Sequence, residues 1–149
     1  MKFINGVIGI VLVLSLFSCK SRQETGTTKK TDSTYFIIGE GGGFTGEYTQ
    51  YKIEISGGIY KYDFSKNNYQ RVKKANPQDV AVFFKQIEIN GLADYFFNRP
   101  GNYSRYLEFI DTANNRNRIV WSMGSTEVNS KITDFYKAVN SMINNTKGG

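Results

Sequence analysis

The spacing Gly41-x-Gly43-x-x-Gly46 is the pattern in this chain that most directly names a chemistry, a backbone cradle for phosphate. Such a cradle needs a helix after the glycines, because the helix N-terminus faces the phosphates. Residues 47–56 alternate instead, with Thr49, Tyr51, Ile53 and Ile55 on one side, and predict a strand. A kinase-type glycine hairpin is the other phosphate option, but a chain of 149 residues is too short for it and lacks the other kinase motifs. The glycines therefore predict a bulged, wide turn between two strands. Two readings of that turn stand side by side. In one, Phe44 folds onto the edge of the core. In the other, Gly42, Gly43, Phe44, Thr45 and Gly46 form a partner-binding loop of exposed amides around one aromatic anchor.

The remaining composition closes off much of catalysis. The chain has no His and a single Cys, Cys19, which removes the Ser-His-Asp triad, Cys/His zinc sites and any internal disulfide. The acids between Glu40 and Asp134 are spread singly, without the local pairing of a glycosidase or metal site. No catalytic residue, metal or cofactor is expected. Ten Tyr and eleven Phe raise the option of sugar or base stacking, but most alternate on strands or recur at helical spacing and read as core. Trp121 shares a face with Ile119 and Met123 and reads as buried. The formal charge is +6, and Lys and Arg are scattered without the density of a nucleic-acid patch, so no nucleic-acid partner is expected.

Lys2 gives a short positive start, and residues 4–17 form an apolar run too short to span hydrocarbon comfortably as a permanent helix. This is an export signal. Leu16-Phe17-Ser18-Cys19 at its end resembles the bacterial lipobox, in which a small residue precedes a cysteine that is lipidated and becomes the mature N-terminus. The resemblance implies that residues 1–18 are a signal peptide and that Cys19 carries lipid. It also implies a protein of the cell envelope, attached to the outer membrane. The alternative is a plain secretory signal with a fortuitous Cys19, or a Cys19 buried in the core. Removing residues 1–18 takes Lys2 with it and leaves +5. Residues 20–33 contain no apolar side chain, and residues 19–33 are expected to form a flexible tether.

The elements that must position the glycine loop follow from periodicity. Residues 34–38, 47–56 and 59–64 read as strands, with Ser56-Gly57-Gly58 as a tight turn and Tyr60, Tyr62 and Phe64 on a common face. Residues 69–73 read as either a short strand or an extended connection. Asn76-Pro77-Gln78-Asp79 has the residues of a helix start, Val80, Phe83, Phe84 and Ile87 have helical spacing, and Asn90-Gly91 ends the helix. Residues 92–97 are a compact apolar cluster. Residues 103–111 and 118–123 read as a hairpin around a turn at 113–117. Ile132, Phe135, Tyr136, Val139, Met142 and Ile143 predict a final amphipathic helix capped by Asn129 or Ser130. The expectation is one α+β domain over residues 34–145, followed by a disordered tail over 146–149. Its antiparallel sheet has about five to six strands with two helices on one face, in the order β-β-β-α-β-β-α.

Gly42-Gly43-Phe44-Thr45-Gly46, residues 92–97 and residues 103–110 resemble small lipoproteins of Bacteroidetes-type bacteria that have no assigned function. The chain is also similar, more distantly, to the emfourin group of proteinaceous inhibitors of thermolysin-like metalloproteases. That group carries a Gly-Gly-Phe-Ala-Gly strand entry, with Thr45 standing here in place of the Ala. The leading expectation is a lipid-anchored, non-catalytic binding or assembly module with an envelope protein as partner. The alternatives are an emfourin-like inhibitor of a thermolysin-like metalloprotease, and an enzyme of unrecognised kind.

Overall fold

β1 (Tyr35–Gly42) begins with the β-branched and aromatic run that the sequence marks as a strand, and it becomes the centre of the sheet. The computed structural model describes residues 34–44, 46–110 and 115–147. Cys19, residues 1–33, Thr45 and the last two residues of the 146–149 segment lie outside these. β1 pairs antiparallel along its whole length with β2 (Glu47–Glu54) on one side and β6 (Tyr103–Ile110) on the other. β3 (Gly58–Asp63) and β4 (Asn68–Lys74) extend the sheet beyond β2, and β7 (Arg116–Ser122) and β5 (Asn98–Arg99) extend it beyond β6. The result is α+β, with one seven-stranded sheet in the order β4-β3-β2-β1-β6-β7-β5.

This settles one open point of the expected sheet and corrects another. Residues 69–73 form a strand, β4, although Arg71, Lys73 and Lys74 break the apolar alternation. An edge strand needs only one ladder, and charge on it discourages pairing with another chain. β5 is two residues long, too short for any period to register, and it runs parallel to β7, so the sheet is mixed. The chain order becomes four strands, a helix, three strands and a helix. The 92–97 cluster opens with a 3₁₀ turn at Leu92–Asp94, and Leu92 is buried.

The helices start and stop where their capping residues lie. α1 (Pro77–Ile89) has Asn76 Oδ1 accepting the Gln78 amide at 2.9 Å and Pro at the first helical position, and Gly91 beyond its end is left-handed at φ 61°. α2 (Ser130–Asn145) has Asn129 Oδ1 accepting the Lys131 amide at 2.9 Å. Both helices bury their apolar stripes on one sheet face, against Phe36, Ile38, Ile53, Leu107 and Ile119. Trp121 is buried there, with its ring edge-on to Tyr136 at 5.4 Å. Ile55 and Met123, expected to point inward, are exposed because they fall just beyond the last paired residues, Glu54 and Ser122.

The opposite sheet face is lined by its own tyrosines. Tyr106 lies flat on Gly39, where an added Cβ would come within 2.3 Å of its ring, and its hydroxyl donates to Gln50 Oε1 at 2.6 Å. Lys52 Nζ sits 4.4 Å from the Tyr60 ring centroid and 5.3 Å from that of Tyr69, paired at 2.8 Å with Glu54. Burial pushes the Tyr106 hydroxyl up to about 12. Tyr136 is also raised, first by burial and then by the Glu40 carboxylate that its hydroxyl contacts at 3.1 Å. A tyrosine raised in the fold stays protonated while the unfolded chain ionises. The stability it contributes is therefore complete below pH ~10 and falls as pH rises through about 12. Melting followed between these limits is expected to show a steep decline in the wild type. The slope should be shallower in Tyr106→Phe, whatever its offset at neutral pH, and an equal slope would remove Tyr106 as the cause.

Candidate functional site

The glycine run divides between a strand and a turn. Gly41 and Gly42 belong to β1 and pair with Tyr48 and Glu47, so the turn spans only residues 43–46 and is narrower than expected. Gly42, Gly43 and Gly46 have φ of 111°, 75° and 63°, angles that L side chains rarely adopt. The Gly43 amide donates to the Asn102 carbonyl at 2.5 Å, which ties the tip to the turn before β6. A Cβ on Gly42 would come within 2.6 Å of that carbonyl, whereas one on Gly46 would meet nothing within 4 Å.

This contrast separates the roles of the glycines. Gly46→Ala carries only the torsional cost, on the order of 1 kcal/mol. Gly42→Ala adds a backbone collision and is expected to cost ~2–3 kcal/mol. Chemical denaturation of the two variants measures the difference, and equal losses would remove the Asn102 contact from the account.

Phe44 is fully solvent-exposed, at 107% of its reference area. That overturns its placement on the core edge: the turn is too short to fold the side chain back. Around it the ends of neighbouring strands present further apolar groups. Tyr48 lies against Gly41, and its ring is 6.2 Å from Phe64 in the β3–β4 turn. Tyr103, paired with Gly42, has its ring next to Gly43, and the Met123 amide donates to the Tyr103 carbonyl at 2.8 Å. Phe44, Tyr48, Phe64, Tyr103 and Met123 are all exposed and share one end of the sheet.

No family model matches this chain, and no curated protein matches it. The rim is therefore characterised by its own chemistry. Charged groups beside it are engaged locally: Asp63 accepts from the Ser65 hydroxyl at 2.6 Å and pairs with Lys66 at 3.3 Å. These contacts, the Ser65 hydroxyl first, hold its carboxyl below the usual range. Glu40 receives Arg105 Nε and the Tyr136 hydroxyl, both at 3.1 Å, and Arg99 pairs with Glu127. The surface offered is apolar and aromatic.

Of the residues singled out in the sequence, Gly42, Gly43, Phe44 and Gly46 meet at this tip, while Thr45 and Cys19 lie outside the described residues. Tyr48, Phe64, Tyr103 and Met123 were missed as rim residues. Their signal was an apolar residue within two positions of a strand end beside Gly, Asn or Ser, which alternation alone reads as one more core position.

Proposed function

We propose that the protein is a lipid-anchored lipoprotein of the cell envelope that acts as a non-catalytic binding or assembly module. It is held to the outer membrane through Cys19 and engages an envelope protein through the aromatic rim. The observation that carries this reading is Phe44, wholly exposed and directly following Gly43, whose amide is held by the Asn102 carbonyl. An exposed aromatic on a rigid support loses little conformational freedom when a partner covers it. Geometry adds to this. The rim lies at the Gly42 end of β1, while the chain leading from Cys19 enters at Thr34, at the other end of the same strand, roughly 25 Å away. A partner would thus be met on the side facing away from the anchor.

A photoreactive phenylalanine analogue placed at position 44 in cells is expected to give a discrete cross-linked protein, and the same analogue at exposed Arg71 is expected to give none. Identical patterns at the two positions would sink the rim as an interface. A second reading, that the partner is a thermolysin-like metalloprotease, is favoured by the exposure of Phe44 within the glycine motif that carries the emfourin resemblance. It requires that the purified domain inhibit such a protease and that Phe44→Ser lose the inhibition without losing thermal stability.

A further inference from the structure

At the end of the sheet opposite the rim, a cleft of about 820 Å³ opens between α1 and the ends of β1, β2 and β6. That volume lies within the roughly 300–1,000 Å³ typical of small-ligand sites. Buried Phe36 and Phe109 and half-buried Phe84 and Ile87 line it, and exposed Ile55, Lys85, Glu88, Asp94 and Arg116 join them in the lining, so the cleft suits an apolar group whose polar end stays among charges and solvent. Thr34, the first described residue of the chain, is itself part of the wall.

We propose that this cleft receives one acyl chain of the lipid carried by Cys19. The inference rests on the lipid anchorage proposed above. Cys19 precedes Thr34 by 15 positions, and a chain of that length and polar composition spans roughly 20 Å. An acyl chain attached there reaches the cleft mouth as an intramolecular ligand, at an effective concentration on the order of millimolar. Each buried methylene is stabilised by ~0.8 kcal/mol in the cleft as it is in a bilayer, so exchange between the two is close to balanced. The other acyl chains keep the protein anchored. Occupation draws the Thr34 end of the domain towards the membrane and leaves the rim directed outward.

The test uses the full chain in its own cells, fed a long-chain fatty acid bearing a diazirine, irradiated, and read by peptide mass spectrometry. The expected result is label on the Cys19 peptide joined to a peptide containing Phe84, Ile87 or Phe109 of the same molecule. Ile55→Arg is expected to reduce that adduct roughly tenfold, because a hydrated charge replaces an apolar side chain that the acyl chain would otherwise cover. Its melting temperature should be unchanged, since Ile55 is exposed. Label on Cys19 with adducts only to bilayer lipid overturns the cleft and leaves the anchor standing. No label on Cys19 overturns both. If Cys19→Ala mixed with the same free fatty acid gives cleft adducts in equal yield, the cleft takes free lipid and the intramolecular assignment is wrong.

Discussion

Phe135→Ala is expected to cost about 3–5 kcal/mol of unfolding free energy, with a matching fall in the denaturation midpoint. Phe135 is the point at which four elements meet. It packs on Phe36 of β1 at 5.6 Å between centroids, on Phe83 of α1 at 5.9 Å and on Phe109 of β6 at 6.2 Å, from its own place on α2. Truncation removes the transfer free energy of the ring and leaves a cavity, and it also removes three aromatic contacts of about 0.5–1.5 kcal/mol each beyond area burial, an overlapping rather than additive term. Domains of this size are stable by about 5–15 kcal/mol, so the loss is a large fraction of the total. Phe96→Ala is the matched control, because Phe96 is exposed and its removal opens no cavity. A midpoint for Phe135→Ala within error of that control would show that the helices are held to the sheet by something other than this cluster.

Much of the architecture was legible because local chemistry and tertiary packing agree at the same residues. Asn76 and Pro77 predict a helix start from hydrogen-bonding and torsional constraints alone, and the fold uses both. Val80, Phe83 and Ile132 through Ile143 face the sheet at the spacing their sequence shows. What was not legible depended on partners distant in sequence. β5 is a strand only because Val120 and Trp121 lie beside it, and β4 only because β3 supplies a ladder to a basic segment. The width of the glycine turn depended on whether Gly41 and Gly42 pair with β2, which the glycines themselves leave open. That pairing decides the exposure of Phe44. Alternation gives the face on which a side chain lies but not the position at which the ladder stops, so Ile55 and Met123 read as core and lie beyond it.

Cys19→Ala is expected to abolish fatty-acid labelling and to move the protein from the membrane fraction to the soluble one. Without lipid, the attraction left at the start of the mature chain is that of Lys20, Arg22, Lys29 and Lys30, each worth about 1 kcal/mol close to an anionic surface and screened by salt. A single acyl chain binds a bilayer only marginally, whereas two or three hold it in effect permanently. The wild type should therefore resist a high-salt wash, and any residual association of Cys19→Ala should be removed by it. The same variant should melt at the wild-type temperature, because Cys19 falls in the polar stretch expected from the sequence to be a tether, ahead of the domain expected over residues 34–145. This pairing separates anchorage from folding. If Cys19→Ala keeps its label, or stays with the membrane after the salt wash while melting normally, the anchor is a different part of the chain and the lipobox resemblance of Leu16-Phe17-Ser18-Cys19 does not describe its processing.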